Sequence, residues 1–354
     1  MQTPASIKSI VFAFCVVLSS CGSQEGARSA LTSKVGAAGE IVVVCDEAVW
    51  SGAAGDTVRA IFDQPFPVLP QYEPWFDLVH LEPESFDRFW KPHRNIIVLE
   101  LADRVDTQTP EVKIFKEKYA REQLYVVGKA RDAAGLASAL DARGSELLSA
   151  FHRIEVDRYA GLIGLSENEV IRDELGQRAG LQLTVPRDAR WAKKSSEFLW
   201  IDRQLTRMKG GDNHDVQQGF FVYREPYTSD AQFSMQARLG KRNEVLKAYV
   251  PGPTPRSFMT TEMRYTPSYE EVVFNGGFAS ELRGLWRIEG DYMGGPFYSL
   301  TAYDERSGEL VTVEGYAYAP FFDKREYMRE VEAIVRSLVW YEAPTPTPTP
   351  TPTP

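Results

Sequence analysis

The chain is poor in the residues that usually announce a chemistry. Its 354 residues include three cysteines, Cys15, Cys21 and Cys45, and four histidines, His80, His93, His152 and His214. Three cysteines cannot build the framework of a disulfide-stapled domain. No two histidines lie within five residues of each other. Zinc sites draw three or four ligands and usually include one close pair, so no metal and no cofactor is expected. There is no Gly-x-Ser-x-Gly elbow, no phosphate-cradling glycine loop and no His-Glu-x-x-His. Positive charge is also short: 40 Lys and Arg against 49 Asp and Glu leave a net charge of -9. With no basic stripe, nucleic acid is not expected as a partner. Beyond residue 18 no apolar run approaches the ~20 residues that span a bilayer. What is present is a hydrophobic content of 43% and a charged content of 25%, the composition of a folded globular chain of about two domains.

The start of the chain is distinctive. Met1–Ser9 carries one positive side chain, Lys8, and Ile10–Leu18 is uninterrupted apolar sequence. Nine helical residues cannot cross a bilayer, and the proportions over residues 1–20 are those of a signal peptide. The run closes on Leu18-Ser19-Ser20-Cys21, followed by Gly22. This resembles the bacterial lipobox, in which the cysteine becomes the lipidated first residue of the mature protein. The resemblance implies that acylated Cys21 makes the lipid bilayer a partner, since two or more acyl chains anchor stably where one does not. By resemblance to other Gram-negative lipoproteins, Gly22-Ser23 without an Asp implies the outer membrane, facing the periplasm. Cys45 is then left alone at the end of an apolar strand, where a cysteine behaves as a small buried hydrophobe.

Residues 21–39 are small and polar and read as a flexible tether. Residues 342–354 hold a Thr-Pro tail suited to polyproline II. Between them the pattern predicts an α/β domain over 40–163 and an α+β domain over 164–341. In the first, strands at 40–45, 76–81, 95–101 and 124–130 alternate with helices at 56–62, 84–91, 110–123 and 132–163. In the second, Ser166 with Glu169 reads as a capping box. Strands follow at 181–186, 198–205, 219–225, near 274 and at 281–290, with a helix at 233–250. A hairpin of 297–303 and 309–318 turns at Ser307-Gly308. The last helix carries Tyr327, Val331, Ile334, Val335 and Leu338 on one face, with Glu326, Arg329, Glu330 and Arg336 mostly elsewhere. An antiparallel sheet with helices on one face would bury that stripe.

Two resemblances accompany these patterns. The order GLQLTVPRDARWAKKSSEFLWID, a mid-domain helix, and a hairpin before a helix ending EAIVRSL is similar to the PsbP-like α/β/α sandwich, over about residues 180–340. The lipobox together with HRNIIVLEL, VPGPTPRSFMTTE and RGLWRIEGDYMGGPF resembles a family of uncharacterised Bacteroidetes lipoproteins known as a domain of unknown function. That resemblance implies an envelope lipoprotein and brings no catalytic residues with it.

The remaining candidates have ordinary readings. The cluster Gly210–Asp215 lacks the spacing of a cation loop and reads as a hairpin turn. Trp286, Tyr316, Tyr318 and Phe321 are the candidate binding surface for an envelope partner, although strand tryptophans default to the core. The expectation is a binding or assembly factor rather than an enzyme. The alternative is an envelope hydrolase acting on glycan or peptide through Asp/Glu pairs that sequence order conceals.

Overall fold

The run EIVVV is apolar at every position after the first, and it becomes β1 (Glu40–Val44), an inner strand with a core on each side. The computed structural model describes residues 31–102 and 110–342. After β1 come α1 (Glu47–Trp50), α2 (Ala53–Phe62), β2 (Asp77–Leu81), β3 (Asn95–Leu101), β4 (Glu111–Lys116), β5 (Leu124–Ala130), α3 (Ala133–Ala142) and α4 (Gly144–Gly164). The sheet order is β2-β1-β3-β5-β4. All pairs are parallel except β4 with β5.

Two expected helices are absent here and a third is broken. Residues 84–91 contain only a 3-10 turn at Pro83–Ser85. The expected helix at 110–123 is instead the edge strand β4. Val112 and Ile114 of EVKIFK point into the core and Lys113 and Phe115 point out, the period of two that a strand requires. The long helix at 132–163 breaks at Arg143, where Gly144 lets the chain pass close to Ile61. The tether expected over 21–39 is docked at its described end. Thr32 bridges Ala120, Val35 bridges His93, and Lys34 pairs with Glu122. Cys21, the signal peptide and residues 343–354 lie outside the described residues.

The second domain contains α5 (Glu169–Ala179), β6 (Leu181–Gln182), β7 (Arg190–Lys194), β8 (Phe198–Lys209), β9 (Asp212–Pro226), α6 (Met235–Tyr249) and β10 (Phe258–Thr261). It continues with β11 (Ser268–Phe274), β12 (Gly277–Glu289), β13 (Gly294–Asp304), β14 (Glu309–Tyr318), α7 (Arg325–Arg336) and β15 (Val339–Trp340). Eight strands form one antiparallel sheet in the order β10-β12-β13-β14-β9-β8-β7, with β11 also on β12. β8 and β9 meet through Gly210-Gly211, whose φ values of +65° and +93° suit a two-residue hairpin turn. The cap of α5 is Asn168 rather than Ser166; its side chain accepts the Ile171 N–H at 3.1 Å.

Helices cover both faces of this sheet, not one. α7 seats Val331, Ile334 and Val335 on Leu300, Val311 and Val313. Gly315 makes room for it, since a Cβ there would meet Val331 at 2.6 Å. On the opposite face α6 packs Leu239, Val245 and Leu246 against Phe198, Phe221, Trp286, Phe297 and Tyr316.

The two domains share a core. Phe66, Val156 and Ile163 of the first belong to the cluster under α7. Glu73 accepts the Lys324 and Arg325 backbone N–H groups at 2.7 Å each, capping a helix that its own domain does not contain. Arg329, expected on a wet face, is fully buried: it lies 4.5 Å over the Phe76 ring and donates to the Trp75 carbonyl at 2.5 Å.

Candidate functional site

The aromatic residues read from the sequence do not form one surface. Trp286 and Tyr316 are each 2% exposed and belong to the core beneath α6, because their strand positions point to that face. Tyr316 stacks on Phe221 at 5.2 Å and meets Trp286 edge-on at 5.4 Å. Tyr318 is half-buried beside them. Phe321 is exposed and lies 4.2 Å from the His214 ring at the β8–β9 hairpin.

The four histidines, scattered in sequence, separate into distinct roles. His93 is buried, with Nδ1 3.0 Å from the Asn95 carbonyl oxygen and Nε2 2.7 Å from Glu40. His152 reaches from α4 to Glu332 of α7 at 2.8 Å, and Trp75 and Phe66 pack edge-on against its ring. Glu332 also meets Arg283 at 2.9 Å and Arg336 at 3.1 Å. Burial works against its charge, but Arg283 and His152 hold its carboxyl well below the usual range. This group fastens one domain to the other.

His80 has different surroundings. It follows Val79 in β2, on the face covered by α1 and α2. Trp50, the last residue of α1, stacks on its ring at 5.0 Å with the planes 5° apart. Arg59 lies on Trp50 at 4.5 Å and donates to the Trp50 carbonyl at 3.2 Å. His80 Nε2 stands 2.8 Å from the Cys45 carbonyl oxygen. Its Nδ1 faces Glu47 Oε2 at 3.6 Å. Glu82 Oε1 accepts the Glu47 backbone N–H at 3.1 Å, and Ser51 donates to Glu47 Oε1. One ligand atom from each of Glu47, His80 and Glu82 lies within 4.8 Å of the others.

This cluster was hidden in the sequence because its members come from the exits of two strands, 33 and 2 residues apart. The parallel pairing of β1 with β2 closes that gap. It stands at the carboxyl ends of the parallel strands β1 and β2, on the edge side of the sheet. Cys45, directly beneath, is buried as expected. Burial, reinforced by Asp46, Glu82 and Glu47, pushes its thiol up to about 12, which rules out a ready nucleophile.

Two open recesses lie on the second domain. One is lined by Thr261, Glu262, Met263, Arg264 and Arg287. The other lies where Arg224 and Arg306 reach the carbonyls of Ala179 and Gly180 at the end of α5. In both, the charged groups are bonded to one another or to backbone.

Residues 168–337 match the family model described as Domain of unknown function (DUF4837). Residues 34–163 match a second, DUF8532, also a domain of unknown function. The His80 cluster therefore lies in the DUF8532 region, and both α6 and α7 lie in the DUF4837 region. No curated protein matches the chain in sequence. A crystal structure of PA94, a protein of unknown function from Pseudomonas aeruginosa, is 11% identical. It covers 41% of this chain and 99% of its own, at a TM-score of 0.22, which is too low to bear on the fold. No helix among the described residues is long and apolar enough to cross a membrane.

Proposed function

We infer that this chain is an outer-membrane lipoprotein, anchored through acylated Cys21, whose periplasm-facing body works in binding or assembly at the cell envelope. The observation that carries the reading is the apolar run Ile10–Leu18 closing on Leu18-Ser19-Ser20-Cys21. The build of the body supports it. The two domains are joined by a shared core and by Glu73, which suits holding a partner at a fixed place. Membership of a Bacteroidetes lipoprotein family, and kinship of the DUF4837 region with PsbP-like domains, belong to the same proposal. The three-layer arrangement of that region fits the latter.

The test is the fate of Cys21. The wild-type chain should stay with membranes through a high-salt wash, and its N-terminal fragment should carry the mass of a diacylglyceryl group and an N-acyl chain. Cys21→Ala should leave the protein in the soluble fraction. A wild-type chain that washes off with salt and carries no fatty acid overturns the reading. A second reading, an envelope hydrolase, is favoured by the convergence of Glu47, Glu82 and His80. Turnover of a labelled envelope glycan or peptide by the purified chain is its test.

A further inference from the structure

The geometry points to a divalent transition-metal site at the carboxyl ends of β1 and β2, formed by His80 Nδ1 and the carboxylates of Glu47 and Glu82, with Zn2+ as the fitting ion.

His80 is held in one tautomer. The Cys45 carbonyl oxygen can only accept, so Nε2, at 2.8 Å from it, carries the hydrogen. In the neutral ring Nδ1 then presents a bare lone pair. That lone pair faces Glu47 Oε2 at 3.6 Å, beyond hydrogen-bond reach. A proton shared between an imidazolium and a carboxylate would draw the atoms to roughly 2.7–2.9 Å. Two ligands of one tetrahedral zinc, each bonded at about 2.0–2.1 Å, stand about 3.4 Å apart. The His80–Glu47 spacing is that of co-ligands, and a Glu82 carboxylate oxygen lies within 4.8 Å of both.

The supporting contacts agree. A metal-bound histidine nearly always gives its other N–H to a carbonyl or carboxylate, which fixes the ring and raises its basicity. Here the Cys45 carbonyl takes that role, and Trp50, backed by Arg59, holds the ring plane. Ser51 holds one oxygen of Glu47 and leaves the other turned toward His80. The Glu47 N–H holds one oxygen of Glu82. Each ligand is thus oriented by a group that is not itself a ligand. One nitrogen and two carboxylate oxygens suit a borderline ion such as Zn2+ better than Ca2+, which takes six to eight oxygens. The Glu47 side chain is 65% exposed, so the remaining position opens to solvent. The inference does not depend on the lipid anchor.

The test uses the full mature chain in detergent, stripped with chelator. Titration with ZnCl2 should show one ion per chain, and binding should raise the thermal midpoint by about 5 °C at a hundredfold excess over Kd. Co2+ should give the visible absorption of a low-coordinate site. Glu47→Gln and Glu82→Gln should each weaken Zn2+ binding at least tenfold, and His80→Gln should remove the Co2+ spectrum. Because His80 is stacked, the exposed Glu47→Gln variant, with an unchanged metal-free midpoint, guards against loss by misfolding. Wild-type uptake of less than one Zn2+, equal uptake by Glu47→Gln, a Co2+ spectrum retained in His80→Gln, or displacement of Zn2+ by equimolar Mg2+ would each overturn the site.

Discussion

The two faces of the eight-stranded sheet solve the same burial problem with different materials. Toward α7 the strands present mainly aliphatic residues, Leu199, Ile201, Val222, Leu300, Val311 and Val313, with Phe220 and Tyr298 among them, and the helix answers with a stripe of Met328, Val331, Ile334 and Val335. Toward α6 they present Phe198, Phe221, Tyr223, Trp286, Phe297 and Tyr316. α6 answers with three apolar residues and two buried arginines. Arg238 bonds Glu225 at 2.5 Å. Arg242 grips Glu314 with two bonds of 2.8 Å, donates to Thr261 at 2.8 Å, and lies 3.6 Å over the Phe297 ring. The aliphatic face gains by area and shape along its stripe, and its buried charges, Glu332 with Arg283, Arg336 and His152, gather at the seam with the first domain. The aromatic face is tied by a charge pair that holds α6 in one register.

The sharpest way to break the contrast is Arg242→Ala. It strands Glu314 without a partner in a dry core and should cost about 3–5 kcal/mol in a denaturant melt. Arg242→Met with Glu314→Leu should recover most of that. If the double variant is as unstable as the single one, the pair acts through shape rather than charge. On the other face Ile334→Ala should cost about 3 kcal/mol, with no comparable rescue available. Glu73→Ala should cost about 1–2 kcal/mol by uncapping α7, and hydrogen exchange should quicken at the first turn of α7 before it does in α6.

The finest difference is in pH response. Glu332, on the α7 face, has its carboxyl held low by Arg283 and His152, so its contribution is complete above the ordinary carboxylate range and is lost as acid is added. Glu314, on the α6 face, is pushed upward by burial, with Arg242 pulling the other way. Its contribution is complete at low pH and falls away as pH rises through its folded value. Between roughly pH 6 and pH 3, Glu332→Gln should therefore flatten the loss of stability on acidification and Glu314→Gln should steepen it. Thermal melts at both ends of the range would show it, and slopes that move together would contradict the assignment.

The same contrast sets how much could be read from the sequence. α7 was legible because its stripe repeats at helical spacing, and β3, β5 and the β13–β14 hairpin because period and turn residues agreed. The second face was not, since nothing in Arg242 announces that it will be buried; its partner Glu314 is 72 residues away. Trp286 and Tyr316 were assigned to a surface because a strand does not say which face of its sheet will be covered. The β4 segment reads as a helix in sequence because Pro110 is a good helix starter and the EVKIFK alternation is short. Arg329 reads as a solvent-facing residue because the first-domain segment that covers it, at Trp75, lies 254 positions earlier. The His80 cluster escaped for a related reason: its ligands meet only when two strands align.

Glu73 has a consequence for how the molecule is made. The carboxylate and the amides it holds are 251 and 252 positions apart. The segment bearing the acid leaves the ribosome early and must wait, unfinished, for nearly the entire polypeptide to follow. Contacts of such long separation form slowly, so closure of this clasp belongs to the last events of maturation. Chains cut short before residue 325 lack α7 and should leave the adhesive side of the first domain uncovered, a natural substrate for holding chaperones and proteases.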